Sequence, residues 1–296
     1  MGVVSEMLAA DFLLRNALVA SMLLGVMCPM VGVYFVLRRM IFLGVALPQL
    51  SAAGVAFAFL VGSALGLHVH GTAQERIVAA AGAFGFTMLG LLALAALERL
   101  GRETIDSRIG VTYAAAAAAG ILFVVADPHG EAEMANLLKG DVVTTTGAGA
   151  LELAGVFLIV LALLVAFRRD LLLVSFDREM ARVLGKRVAA WDALLYLLIG
   201  LTISFGVMTA GPLLTFGFLV IPPLTARLLT RHMGAFTAVA AGAGALSAFV
   251  GFACAYRFDL PLGPTDVAVS LVVFAAVALG RAVHSALRPP LGRAHT

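Results

Sequence analysis

The feature that most constrains the fold is a series of uninterrupted apolar blocks, each about 20 residues long. A helix that rises 1.5 Å per residue needs about 20 apolar residues to cross a hydrocarbon core of about 30 Å, whereas membrane barrels use shorter alternating segments. With 62% hydrophobic and 12% charged residues, the chain is too apolar for a soluble domain. We therefore predict an all-α polytopic membrane protein, a single transmembrane domain over residues 1–296 with about nine transmembrane helices. The predicted spans are 16–37, 47–67, 77–97, 109–126, 148–167, 191–211, 213–230, 235–256 and 267–281.

The basic residues between these spans predict the orientation of the chain. If the loop from Arg168 to Arg187 is cytoplasmic, sixteen of the 20 lysines and arginines fall on the cytoplasmic side. Cytoplasmic loops of membrane proteins are enriched in Lys and Arg. We therefore expect the N-terminus outside and the C-terminus inside. The four basic residues on the outer side are then Arg15, Arg76, Lys139 and Arg257.

Three prolines, Pro212, Pro222 and Pro223, interrupt the apolar segment from Leu201 to Leu229. Proline removes a backbone hydrogen bond and bends a helix, and bent helices are common where a substrate crosses the membrane. We therefore take these prolines as candidates for the translocation path. The alternative is that they only kink or end a helix for packing.

The middle of each predicted span carries no ionisable side chain, which bears on the energy source. Glu152 and Asp192 lie near span ends, where a structural role is expected. A proton- or ion-coupled secondary transporter usually needs a buried titratable group, so this pattern favours another energy source. The chain has no G-x-x-x-x-G-K-[ST] phosphate-binding loop. We therefore expect a transport subunit rather than an enzyme, with ATP hydrolysed in a separate subunit that docks from the cytoplasm.

The cytoplasmic loop 168–190 is long enough to receive such a partner. Asp177 is a residue type favoured at helix N-caps, and Gly185 is typical just beyond a helix C-terminus. We therefore predict a short helix from Asp177 to Leu184 that ends at Gly185. The alternative is a solvated interfacial helix without a partner.

This loop resembles the cytoplasmic coupling segment of the zinc and manganese type permeases of binding-protein-dependent ABC importers. The resemblance rests on the segment from Ser175 to Gly185, followed by Trp191 to Leu195. Further landmarks of that family occur in the same order between residues 37 and 280. These landmarks are Leu37-Arg38-Arg39-Met40, Ile109-Gly110, Leu219 to Pro223, Ala226 to Leu229 and Asp259 to Thr265.

The resemblance implies a homodimeric permease in the bacterial cytoplasmic (inner) membrane, surrounded by lipid. It also implies two ATP-binding subunits below the permease, which carry the ATP and Mg, and an extracytoplasmic metal-binding protein above it. No cofactor bound by this chain and no nucleic-acid partner are expected. The residues that the resemblance assigns to ATPase coupling are Asp177, Arg178, Glu179, Ala181, Arg182, Leu184 and Gly185.

One landmark departs from the family pattern. Where the family commonly reads Gly-Asp-x-x-Ser-His-x, this chain reads Gly44 to Leu50, without the acid and the histidine. Gln49 stands in the histidine's place and is a weaker, neutral oxygen donor, so we predict that it lines the path without binding metal strongly. Residues of the outer face are alternative metal ligands, or else ordinary loop residues. They are His68, His70, His129, Glu131 and Glu133.

Together these features predict the permease subunit of an ATP-driven importer for zinc, manganese or a similar divalent cation, which works by alternating access. Three alternatives stay open at this point. The first is an ABC permease for a non-metal or metal-complex solute, which the missing acid and histidine favour. The second is a substrate-binding or regulatory membrane component, and the third is a proton- or ion-coupled secondary transporter.

Overall fold

The computed structural model describes Met7 and residues 14–64, 72–99, 105–126, 142–230 and 232–287. Because backbone polar groups cannot hydrogen-bond to lipid, the apolar blocks satisfy them internally as helices. The described helices are α1 (Arg15–Leu37), α2 (Leu43–Ala64), α3 (Thr72–Arg99), α4 (Ile105–Ala126), α5 (Gly147–Ala166), α6 (Arg168–Phe176), α7 (Arg178–Val183), α8 (Val188–Leu229), α9 (Met233–Phe258) and α10 (Leu262–Leu287), with a 3₁₀ turn at Val142–Thr144.

Helix α8 reverses direction at Gly211, where the backbone has φ 75° and ψ 170°. A straight helix of 42 residues would be about 63 Å long, twice the hydrocarbon thickness. A β-carbon built on Gly206 would instead lie 3.0 Å from the side chain of Thr215. Nine residues along a straight helix span about 13 Å, so this contact requires the chain to fold back. We call residues 188–210 the first arm and residues 212–229 the second arm.

Contacts with α1 give the direction of each arm. Asp192, at the start of the first arm, pairs with Arg38 just beyond the end of α1. Gly206, near the end of that arm, lies beside Leu24 in the middle of α1. The first arm therefore runs antiparallel to α1. The second arm runs parallel to α1, because it begins near this same level and then packs Leu219 and Pro223 against Gly32.

Close helix packing depends on small residues at two crossings. A β-carbon at Gly25 or Gly244 would overlap the facing helix where α1 crosses α9, and the same holds for Gly54 and Gly82 where α2 crosses α3. Such positions let helix backbones approach closely, which drives association in lipid. The helices form two groups, one of α1, α8, α9 and α10 and one of α2, α3 and α4, and α8 also packs against α2 and α3.

The predicted helical membrane fold is confirmed. In the described part of the chain, eight helices are long and apolar enough to cross a membrane. Since α8 folds back at Gly211, these eight helices make nine passes, in agreement with the predicted number. The orientation of the termini stays a prediction. The Glu152 carboxylate pairs with Arg76 at 2.8 Å and so links α5 to α3, a contact that agrees with the structural role expected for it.

Candidate coupling segment and translocation path

The segment between α5 and α8 is mostly helical rather than an open loop. Helix α6 continues almost directly from α5, and the short helix α7 follows it. Asp177 caps α7 as predicted: its Oδ1 accepts hydrogen bonds from the backbone N–H of Glu179 at 3.0 Å and of Met180 at 2.9 Å. These bonds satisfy N–H groups that the first helical turn leaves without partners.

The end of α7 also agrees with the prediction. Gly185 has φ +74°, in the left-handed region that glycine adopts without steric cost. The backbone N–H of Gly185 donates to the carbonyl of Arg182, and that of Lys186 donates to the carbonyl of Ala181, both at 3.0 Å. This pair of bonds is the Schellman motif, which closes the helix and fixes the direction of the chain that follows.

The outward surface of α7 is unusually apolar. Val183 is 83% exposed, and Phe176, Met180 and Leu184 beside it are also exposed, whereas Ala181 is fully buried. We call Phe176, Met180, Val183 and Leu184 the apolar ridge. An exposed apolar patch usually marks a surface that contacts a partner. Of these four, sequence analysis assigns only Leu184 to coupling. Val183 and Leu184 follow Met180 by three and four residues, which places them near it on α7, whereas Phe176 ends α6 before the extended residue Asp177.

A charged network ties this segment to the membrane helices. The Arg38 guanidinium lies 2.7 Å from the Asp192 carboxylate, a distance that makes an ion pair without the alignment of a hydrogen bond. The other Asp192 oxygen lies 3.5 Å from Arg178 of α7. Arg38 also donates through Nε to Ser175 Oγ at 3.1 Å and lies 6.0 Å from the ring centre of Tyr196. Movement of α7 is therefore linked electrostatically to α1 and to the first arm of α8.

A second ion pair braces the same segment. Lys186, just past α7, lies 2.8 Å from Asp170 of α6. Asp170 lies before the apolar ridge in sequence and Lys186 lies after it. This ion pair therefore joins the start of α6 to the residues that follow α7. The predicted coupling residues Asp177, Glu179, Arg182 and Gly185 are exposed, and Arg178 is partly exposed.

The predicted path residues occupy different environments. Gln49 lies on α2 and is half-buried, and Pro212 directly follows the reversal at Gly211 and is half-buried too. Pro222 and Pro223 are buried in the second arm, where Pro223 packs against α1. The N-terminal part of α2 packs against this arm through Gly44. Whether these residues line a path stays a prediction.

Asp266 is a buried carboxylate that lies one residue before the last predicted span. It is fully buried, and its Oδ2 accepts a hydrogen bond from Ser21 of α1 at 2.8 Å. Among the described residues, its Oδ1 has no hydrogen-bond partner, and the same is true of the buried hydroxyls of Ser247 and Ser270. The predicted last span begins at residue 267, whereas α10 begins at Leu262.

The signal for this earlier start is present in the sequence. Pro261 and Pro264 flank the first turn of α10, and proline is favoured near helix N-termini. The Thr265 hydroxyl donates to the carbonyl of Pro261 at 2.8 Å. A fully buried carboxylate therefore does lie within a membrane-length helix, and the Ser21 hydroxyl ties it to α1.

The outer-face metal candidates His68, His70, His129, Glu131 and Glu133 lie outside the described residues. Within the described ranges, no group of three or more His, Cys, Asp or Glu side chains is close enough together to hold a metal ion.

Comparison with known sequences gives a family match over nearly the whole chain. Residues 10–280 match the family described as "ABC 3 transport family". The chain is 29% identical over 262 residues to the manganese transport system membrane protein MntC of Halalkalibacterium halodurans, covering 88% of this chain and 85% of that protein. It is 25% identical to the manganese import system permease protein ScaB of Streptococcus gordonii, covering 88% of each chain. It is also 25% identical to a probable iron transport system membrane protein of Haemophilus influenzae, covering 91% of this chain and 90% of that one.

Two solved structures share the fold. PsaBC from Streptococcus pneumoniae in complex with Fab aligns with a TM-score of 0.78 at 23% identity, covering 93% of this chain and 94% of that chain. An inward-facing conformation of a putative metal-chelate type ABC transporter aligns with a TM-score of 0.70 at 17% identity, covering 91% of this chain and 86% of that one. At these identities the likeness establishes the helical architecture.

Proposed function

This chain belongs to the ABC 3 transport family, and we propose that it is the permease subunit of an ATP-driven importer for a divalent metal cation. The observation that carries the proposal is the family match over residues 10–280, together with relatives named for manganese transport. The chain is accordingly a multi-pass protein of the cytoplasmic membrane and a transport component rather than an enzyme.

The energy for transport is proposed to come from a separate ATP-binding subunit that carries ATP and Mg. The apolar ridge, formed by the end of α6 and by α7, would fit a cleft of that subunit, since covering exposed apolar side chains with a partner is favourable. The capped ends at Asp177 and Gly185 make α7 a compact element that moves as a unit. Closure of the nucleotide site would then displace α7, and the Arg178–Asp192–Arg38 network would carry this displacement to α1 and α8.

We propose further partners from the family pattern. A second copy of the chain would complete the permease, and an extracytoplasmic metal-binding protein would deliver the cation to its outer face. Alternating access between the outer and inner faces would move the cation without a buried titratable relay on the path.

The proposed cargo is a cation that accepts neutral oxygen ligands. Val45 and Gln49 stand where the family commonly has an acid and a histidine. Imidazole is a ligand typical of zinc, whereas carbonyl and carboxylate oxygens suit manganese. The missing histidine disfavours zinc and the missing acid removes a ligand for manganese, so the proposal of manganese rests on the relatives named for manganese transport.

A metal chelate is the second candidate cargo. Its support is the same departure, since a solute that brings its own ligands needs neither the acid nor the histidine from the permease. The two candidates differ in whether the free cation is carried.

Metal uptake by cells with and without the gene tests the proposal. We expect deletion to lower uptake of free manganese, wild-type chain to restore it, and Val183→Asp, which places a charge on the apolar ridge, to fail to restore it. Glu75→Gln, on the outer end of α3, is the matched control and should restore uptake. Unchanged uptake of manganese, zinc and iron after deletion would exclude a metal importer, and loss of only chelated metal uptake would favour the second candidate.

A further inference from the structure

A basic cavity lies at the predicted cytoplasmic end of the bundle, between α1, α8 and α9. Its volume is about 340 Å³, and Arg39, Arg227 and His232 are among the residues that line it. Apolar side chains of the membrane helices, among them Val36 and Phe236, also line it. A cavity with cationic and apolar walls suits a ligand that is both anionic and apolar.

A second cavity lies next to the first. It has a volume of about 370 Å³ and runs between α1, α5 and α9, with Arg168 and Arg169 among its lining residues. The rest of its wall is largely apolar and includes Met30, Leu164 and Ala241. Met233 lines both cavities, so the two adjoin each other at the start of α9.

The backbone at Arg39 gives a separate reason to expect a ligand. Arg39 has φ +58°, in the left-handed region that residues with a side chain rarely adopt. It occupies the turn that ends α1, where the N–H of Met40 donates to the carbonyl of Phe35 at 2.9 Å. Glycine would take this conformation more easily. Strained backbone conformations of this kind are concentrated at functional sites, so we infer that the Arg39 guanidinium binds a ligand.

The described residues supply no acidic partner for the arginines around the cavities. In the part of the chain that the structure describes, no acidic side chain forms an ion pair with Arg39, Arg168, Arg169 or Arg227. The neighbouring Asp170 is already paired with Lys186. Basic pockets between membrane helices on the cytoplasmic side bind anionic lipid headgroups.

We propose that the two cavities together form a binding site for one anionic phospholipid of the inner leaflet. Its phosphate would lie in the first cavity among Arg39, Arg227 and His232. Arg168 and Arg169 would lie beside the phosphate, and one acyl chain would occupy the second cavity, which is the apolar groove between α5 and α9. Free phosphate carries the same headgroup chemistry but leaves the apolar groove unfilled. The site goes beyond the proposed function, because it concerns lipid rather than cargo. It would brace α6, which leads into the coupling segment, against α9.

The test measures lipid retained by the full-length protein in nanodiscs that contain phosphatidylglycerol and phosphatidylcholine. Native mass spectrometry should show one phosphatidylglycerol per wild-type chain. Each basic residue near an anionic lipid contributes about fivefold in affinity, so the double variant Arg39→Gln/Arg227→Gln should bind about thirtyfold more weakly. Arg187→Gln removes an exposed basic residue away from the cavities and should bind as wild type.

A second variant fills the groove without changing charge. Gly234 lines the second cavity, and a β-carbon there would meet no atom within 4 Å, so Gly234→Leu should fold normally and exclude the acyl chain. We expect it to lose phosphatidylglycerol as well. Equal retention of both lipids by the wild type, or wild-type retention by either cavity variant, would overturn the site. Displacement by inorganic phosphate would show a phosphate site instead, and a Gly234→Leu variant that keeps its lipid but no longer dimerises would show that a second copy covers the groove.

Discussion

Replacing Asp192 with asparagine should destabilise the bundle by removing the counter-ion of a buried arginine. The Arg38 side chain is 5% exposed and the Asp192 side chain 18% exposed, with 2.7 Å between the charged atoms. Removing one partner of a buried ion pair costs about 3 to 5 kcal/mol. We expect about 3 kcal/mol, the lower end, because Asp192 is partly exposed and Arg38 keeps its contacts with Ser175 and Tyr196.

Thermal unfolding of the purified protein in detergent measures this effect. For a chain of 296 residues, 3 kcal/mol corresponds to a fall in melting temperature of about 5 °C. Arg178→Gln is the matched control, since its contact with Asp192 is longer, at 3.5 Å, and the arginine is partly exposed; it should change the melting temperature by about 1 °C or less. Arg38→Met/Asp192→Asn should recover part of the loss, because no unpaired buried charge remains. An Asp192→Asn melting temperature equal to wild type would refute the reasoning.

Three further substitutions test the backbone and the path. Gly211→Ala should cost about 1 to 3 kcal/mol, because its φ of 75° with ψ of 170° is almost restricted to glycine; Gly62→Ala, with open space around it, should melt as wild type. Gly185→Leu should leave the permease inserted and dimeric but stop ATPase copurification and transport, whereas Gly185→Asn, which tolerates positive φ, should retain both; normal copurification and transport of the leucine variant would remove the coupling role. Gln49→His should raise the apparent affinity for zinc in uptake assays, and unchanged metal dependence would mean that the position packs against lipid or protein.

Local signals in the sequence predict the coupling segment well. Asp177 and Gly185 act through their own backbone neighbourhood, so the cap and the left-handed turn follow from residue type and spacing. The residues of the apolar ridge are also close together in sequence. An assignment of coupling residues from the family landmarks nevertheless leaves out Phe176, Met180 and Val183. Their exposure depends on which side of α7 the bundle covers, and only the buried position of Ala181 reveals that side.

Long-range contacts explain what the sequence does not predict. The predicted spans 191–211 and 213–230 already require a reversal near residue 212, but its geometry, one left-handed residue at Gly211 with Gly206 against Thr215, is seen only in the structure. The pairing of Arg38 with Asp192 joins residues far apart in the chain, and no periodicity predicts it. Asp266 is missed for a different reason: hydropathy finds the apolar middle of a span, whereas α10 begins four residues before this carboxylate.

Transport by purified components tests the central claim most directly. Proteoliposomes would contain this chain and its cognate ATP-binding subunit, with ATP and Mg on the side of the ATP-binding subunit and manganese, delivered by the extracytoplasmic binding protein, on the other. The account predicts that manganese crosses the membrane only when this chain, the ATP-binding subunit and hydrolysable ATP are all present. Manganese movement that needs no ATP, or ATP hydrolysis by the assembled complex that moves no metal in free or chelated form, would contradict it.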